Sequence, residues 1–340
     1  MVEGIPYGLG GWGVPSIFRE AGRLLGKYFT FIAPFIFAFV LPTAVIQLLE
    51  VFGLAWWASG QDPPFLQKHR HVLSKAIAGV DGSYPATPAW ESEFFILLGV
   101  GILMWLLASL AIASICKTVQ YIYSEEEDPS ATKSIFMSLP QAILRLLVTS
   151  IWILFLTLVT IFTVSLPFYL LSVIFKEKHE ALFETVNQIF IYIAVTILSF
   201  LFLLSQEVAV LEPNNYGLAA LKRSSKLVQA NILPALAVFA VSLVVGGSLS
   251  KLSSYIASLH GAGKVPQWAV YILAILFALL YLTYVAYIYL ATVVLYFSSK
   301  VKHDAAEGTL PGFRHGGSGN PYAPLVVVSH PILQNYHNVQ

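Results

Sequence analysis

Apolar residues along the chain gather into six long blocks, at 29–49, 94–116, 146–175, 186–204, 232–250 and 270–297, with short polar stretches between them. A hydrocarbon layer of about 30 Å takes roughly 20 apolar residues in helical form. Each block meets or approaches that length, so the pattern predicts six membrane-crossing helices. The third and sixth blocks exceed a straight crossing, which predicts tilt, a kink or protrusion. Pro167, late in the third block, is the expected kink. Pro34, Pro42 and Pro234 fall in the first and fifth blocks, where neighbouring helices would have to satisfy the freed carbonyls.

Ahead of three of the blocks stands a short basic stretch with helical periodicity. In the first, Val14, Ile17, Phe18, Ala21, Leu24, Leu25 and Tyr28 recur on one face, while Arg19, Arg23 and Lys27 recur on another. Ser16 is a candidate N-cap. The second stretch opens on Asp128-Pro129 and carries Lys133, with Arg145 at the start of the following block. The third begins near Asn215 and sets Leu218, Leu221, Leu227 and Val228 beside Lys222, Arg223 and Lys226. Such helices are expected to lie in the interface, apolar face toward the acyl chains and cations among headgroups.

These stretches align with one another. An offset of 89 residues places Ala131 on Ala220, Lys133 on Lys222 and Ile143-Leu144 on Ile232-Leu233. An offset of 203 places Arg19 on Lys222, Arg23 on Lys226 and Leu24 on Leu227. The ends of the second and sixth blocks also match, Thr118-Val119 and Ser124 against Thr292-Val293 and Ser298, and Glu207 falls opposite Thr118. The expected architecture is an all-α polytopic membrane bundle of about six transmembrane helices, in three parallel two-helix repeats with amphipathic interfacial helices. Its expected divisions are a flexible 1–13, a six-span domain 14–300 with repeats near 14–123, 124–212 and 213–300, and a disordered cytoplasmic tail 301–340.

Composition agrees with that class. Hydrophobic residues make up 57% and charged residues 11%, with mean hydropathy +0.74, where a soluble domain carries about 25% charged residues. The net charge of +1 gives no polyanion-binding signature, so nucleic acid is not an expected partner. With the N-terminus inside, 12 of the 19 Lys and Arg residues fall on the cytoplasmic side and 7 on the other. The positive-inside rule therefore favours two cytoplasmic termini. The glycine-rich start, 1–13, lacks the layout of a cleaved signal peptide, and the first block is expected to serve as the insertion signal.

The segment GLAALKRSSKLVQANI at 217–232, just ahead of a block, resembles the Ala-Leu-Lys-Arg-Ser signature of a broad family of membrane domains. That family includes the YciC-like bacterial proteins and the membrane domain found beside glycerophosphodiester phosphodiesterases. With Phe31-Ile-Ala-Pro-Phe, Leu41-Pro42 and Leu211-Glu212-Pro213, the chain is more similar to the plant members. Some of these carry a name taken from association with poly(A)-binding protein, for which no feature of this sequence speaks. Ser225 stands where the signature has an aromatic residue, and Ala230 where it has glycine. The resemblance implies a six-span membrane domain. It implies no phosphodiesterase activity, since no such domain is fused here.

Candidate chemistry is sparse. Arg19, Arg23, Lys27, Lys133, Arg145, Lys222, Arg223 and Lys226 are candidates for lipid headgroups. The alternative is that they only anchor each hairpin on the cytoplasmic side. Glu207 is the candidate intramembrane acid; the competing expectation places it at the interface beside a Lys or Arg. Arg145 is expected to snorkel, with pairing to a bundle acid as the alternative. Gly99, Gly101, Gly246 and Gly247 are candidate close helix contacts. Glu125-Glu126-Glu127-Asp128 reads as a solvated loop, His69 and His71 as a basic loop patch, and Tyr322 with Leu325 as a tyrosine-type sorting signal. Cys116 is the single cysteine and the blocks hold no histidine, so no metal, cofactor or catalytic set is expected. The expected function is organisation of membrane lipids, anionic ones included, or of partner proteins at the cytoplasmic face of the endoplasmic reticulum or plasma membrane. A transporter or channel for a neutral or lipidic substrate along the pseudo-three-fold axis is the alternative.

Overall fold

The computed structural model describes residues 13–46, 89–124, 131–174, 180–261 and 266–306. Among these residues the structure is helical, with no strand. The helices are α1 (Val14–Lys27), α2 (Phe29–Phe35), α3 (Ala89–Ser124), α4 (Ala131–Ile174), α5 (Glu180–Leu201), α6 (Ser205–Leu211), α7 (Leu218–Ala230), α8 (Ile232–Gly261) and α9 (Gln267–Ala306). Six stretches are long and apolar enough to cross a membrane: Phe29–Ile46, Leu98–Tyr123, Ile135–Leu171, Phe183–Leu211, Ile232–Ile256 and Trp268–Ala306. The chain is a multi-pass membrane protein built as an all-α polytopic bundle.

Helix breaks follow local chemistry. Pro34 sits inside α2, and a π turn over Ile36–Val40 follows it directly. Proline offers no N–H and crowds the preceding turn, so the backbone widens just beyond it. Tyr28 (φ −111°, ψ 22°) separates α1 from α2, and Asn231 (φ −138°, ψ 53°) separates α7 from α8. The aligned position Ala142 makes no break: the second basic stretch continues straight into its span within α4, through Pro140 and Pro167. Of the three basic stretches, the first and third therefore form separate helices, α1 and α7, and the second does not. The fourth crossing, expected to be continuous to Leu204, is broken at Phe202–Leu204 and resumes as α6.

The main core gathers at one end of the bundle. Ile17, Ala21 and Leu24 of α1 meet the stretch Ala111–Val119 of α3, Leu204 and Val208–Leu211 at α6, Ala220, Leu227 and Val228 of α7, and Leu290–Leu295 of α9. A smaller cluster, Leu249, Ile256, Val270 and Phe277, joins α8 to α9 farther along. The α4–α5 hairpin is the least covered: 6% and 11% of its two spans are buried, against 28–33% in the others. Its exposed Leu154, Phe155, Phe162, Ile189 and Ile193 suit an acyl environment.

The glycine expectations divide. A side chain at Gly246 would meet the Tyr284 hydroxyl at 3.1 Å, so α8 and α9 approach closely there. Gly99, Gly101 and Gly247 face open space and make no close helix contact. The loop 47–88, the acidic run 125–128 and residues 307–340, with Tyr322 and Leu325, lie outside the described residues; 301–306, expected in the tail, are helical as the end of α9.

Candidate functional site

The sequence-marked cations divide by surroundings. α1 starts at Val14 with Gly13 as N-cap and Pro15 in its first turn, not at Ser16. Its apolar face packs on α8 and α9, not on lipid. Neighbouring helices of the same chain cover the stripe that periodicity alone assigns to the bilayer. Arg19, Arg23 and Lys27 are left exposed. Arg23 is held by Glu20 through two bonds, Nε to Oε2 at 2.7 Å and Nη2 to Oε1 at 2.6 Å. Glu20 also accepts from the Tyr123 hydroxyl at 3.3 Å, which ties α1 to α3. The Glu20 hydrogen bond raises the Arg23 pKa over an opposing effect of burial. Lys27 lies over the Tyr28 ring, 5.5 Å from its centre.

α7 is bound more elaborately. Its N-cap, Gly217, has φ 61° and ψ −132°, a conformation that favours glycine. The Gly217 amide donates to the Thr149 hydroxyl at 2.9 Å, fixing α7 against α4. Ala220, Leu221, Leu227 and Val228 face the core, and Lys222 and Lys226 face outward. Arg223 turns back instead, 2.9 Å from Asp304 and 3.7 Å from Glu212, and it reaches His303 as well. Glu212 accepts from Asn215 Nδ2 at 2.7 Å and from the Tyr296 hydroxyl at 2.8 Å, with Lys300 at 3.5 Å. Burial opposes the Glu212 charge, but the bonds from Asn215 and Tyr296 and the nearby Lys300 and Arg223 outweigh it and lower its pKa. This polar knot clips the loop after α6, the start of α7 and the end of α9 together.

The break between α5 and α6 is closed by Ser224. Its hydroxyl accepts from the Leu204 amide at 3.1 Å and donates to the Leu201 carbonyl at 3.1 Å. Two backbone groups freed by the break are thus satisfied by one buried side chain. Just beyond, Glu207 is 4% exposed and lies within the core. It faces Thr292 and lies near Cys116, and its Oε2 has no partner among the described residues. The Thr118 hydroxyl is buried and unpartnered in the same sense. The cation expected beside Glu207 is not found among the described residues, and the surroundings of Glu207 are the protein interior. The break sets α6 against α3 and α9 and leaves Glu207 inside the protein.

A family model described as a domain of unknown function (DUF8558) matches residues 12–307. The chain belongs to the DUF8558 family. No curated protein and no solved structure matches it. The DUF8558 match takes in every described helix, from α1 to α9, and so both basic helices and the broken fourth crossing.

Of the other marked residues, Arg145 is half-buried beside Lys117, and no acid among the described residues pairs with it. Lys133 lies in the first turn of α4, and its side chain falls outside the description. Among the described residues no group of three or more His, Cys, Asp or Glu is placed to hold a metal. Sequence reasoning passed over Gly217, Ser224 and Glu212. All three lie in or beside the segments that carried the family resemblance, which was the available signal.

Proposed function

We propose that this DUF8558 protein is a non-catalytic membrane protein that gathers anionic lipid around one end of its bundle, with both termini cytoplasmic. The carrying observation is the outward set of Arg19, Lys27, Lys222 and Lys226 on two helices whose apolar faces are locked into the core. A rigid mount keeps the cations at fixed spacing, which lowers the entropy lost when headgroups bind. Each cation near an anionic surface contributes about 1 kcal/mol. Arg23 and Arg223 belong to internal ion pairs, so they contribute less to lipid than the sequence suggested. The aligned positions Thr118, Glu207 and Thr292 all fall in the buried interior, in keeping with a three-fold internal repeat.

The broken fourth crossing and its buried acid favour a second reading, transport of a small or lipidic substrate, since transporters place discontinuous helices at their sites. Cys116, Val119, Val293 and Val294 are tightly buried in the main core, which argues against an open path through that end of the bundle and for the first reading. The test is the full-length protein in nanodiscs of mixed phosphatidylserine and phosphatidylcholine, with bound lipid identified by native mass spectrometry. The combined Arg19→Glu, Lys222→Glu and Lys226→Glu variant is expected to lose retained phosphatidylserine. Unchanged retention refutes the proposal.

A further inference from the structure

Beside the helix break a half-open cavity of about 220 Å³ opens between α4, α5 and α6. Ile153 and Thr157 line it from α4, Leu198 and Ser199 from α5, and Ser205 and Gln206 from α6. It lies on the least covered hairpin of the bundle, the one that faces acyl chains.

Three of its four polar side chains are unspent among the described residues, while Ser205 donates its hydroxyl to the Phe202 carbonyl at 2.7 Å. Thr149, Thr160 and Thr163 turn their hydroxyls back to the carbonyls of Arg145, Leu156 and Val159 at 2.7–2.8 Å. Thr157, on the same helix, makes no such bond among the described residues, and neither the Ser199 hydroxyl nor the Gln206 amide has a partner there. The break adds an acceptor: the Leu203 amide bonds the Phe200 carbonyl at 3.2 Å, so the Ser199 carbonyl loses its helical donor. Three helices thus aim donors and acceptors into one recess on a lipid-facing surface, where bulk water does not satisfy them.

Depth narrows the occupant. Thr157 lies about 26 Å from Ile174, the far end of α4, and Ser199 about 28 Å from Glu180, the far end of α5, at 1.5 Å per residue. Charges at 176–180 keep that end of the hairpin out of hydrocarbon. Across a layer of about 30 Å, the recess then falls at the opposite boundary, where lipid ester groups sit. Its lining is uncharged, so it offers a phosphate no counter-charge. Its volume equals roughly seven waters at about 30 Å³ each, which suits a small head.

We propose that this recess binds an uncharged membrane lipid whose head pairs a hydroxyl with an ester or amide carbonyl, the chemistry shared by diacylglycerol and ceramide. A lipid of that kind has no charged head to hold in water, so both groups settle at the depth of the recess. The hydroxyl donates to the Ser199 carbonyl, and the lipid carbonyl accepts from Thr157 and Gln206. The site deepens the lipid-organising reading and rests on it in part, but it uses none of the basic residues.

The test uses the full-length protein in pure phosphatidylcholine nanodiscs, which removes anionic lipid from the comparison. Photoreactive diacylglycerol, ceramide and phosphatidylcholine probes of matched chains are crosslinked, and the labelled peptides are mapped. Diacylglycerol or ceramide is expected to label 153–157 and 198–206 well above phosphatidylcholine. Thr157→Val and Gln206→Leu each lower that labelling about threefold, and the double variant about eightfold, taking about 0.6 kcal/mol per intramembrane hydrogen bond. Ser248→Ala, on the exposed face of α8, leaves it unchanged, as does the charge-reversed basic variant. Equal labelling by phosphatidylcholine, or labelling that survives in a double variant whose thermal transition matches the parent, overturns the proposal. A parent protein that no probe labels in the recess overturns it too, the recess then holding water or a partner helix.

Discussion

Replacing Ser224 with alanine removes one oxygen and strands two backbone groups. The Leu204 amide and the Leu201 carbonyl each meet that hydroxyl at 3.1 Å, and Ser224 is fully buried. Leaving a buried donor or acceptor unsatisfied costs about 1–3 kcal/mol each, so the expected loss is about 2–6 kcal/mol. The neighbouring Ser225→Ala is the control, because the Ser225 hydroxyl only turns back to the Lys222 carbonyl on an exposed face. At about 2 °C per kcal/mol for a chain of this size, Ser224→Ala lowers the thermal midpoint in detergent by about 4–12 °C. The control moves it by about 1 °C. Hydrogen exchange at 199–207 rises in the variant, since the break opens before the rest of the core. Equal midpoints for the two variants, with unchanged exchange, refute the reasoning that this hydroxyl closes the fourth crossing.

Gly217→Ala forces a side chain to within 3.1 Å of Trp152 and 3.2 Å of Val148 at positive φ. It is expected to destabilise by at least about 1–3 kcal/mol. Gly26→Ala, in open space on α1, is expected to be neutral or to stabilise by up to about 1 kcal/mol in the same melting assay. Glu212 has a lowered pKa, so its ionised contribution is complete above the ordinary value of 4.5 and fades as pH falls below it through the folded-state value. Glu212→Gln therefore melts below the parent at neutral pH, and the gap closes in acid; a gap constant with pH contradicts the sign. Cys116, 0% exposed, stays unlabelled by maleimide in the folded protein and reacts once the chain is denatured.

Hydrophobic block length made the six crossings legible, because a bilayer imposes one length on every helix that spans it. Periodicity also marked which faces of α1 and α7 are apolar. It did not say what covers them: Ile17 and Leu24 pack on neighbouring helices, since a protein surface buries an apolar stripe as readily as acyl chains do. The break at 202–204 left no proline or glycine to announce it. It depends on Ser224, some twenty residues later, and a contact across that separation carries no local signal. The burial of Glu207 has the same cause, because it follows from where the helix resumes. Arg23 and Arg223 could be named as cations from sequence; the Glu20–Arg23 pair is a local i, i+3 contact within α1, whereas the commitment of Arg223 to Asp304 became visible only when the helices were assembled.

The account stands on α1, the start of α4 and α7 occupying one side of the membrane. Single cysteines at Ser16, Lys133 and Lys222, with one at Ser258 near the other end of α8, measure this against a membrane-impermeant maleimide in oriented vesicles and intact cells. Buried Cys116 keeps the background silent. The expected result is labelling of positions 16, 133 and 222 from the cytoplasmic side and of 258 from the opposite side. Labelling of 16, 133 and 222 from different sides contradicts the account.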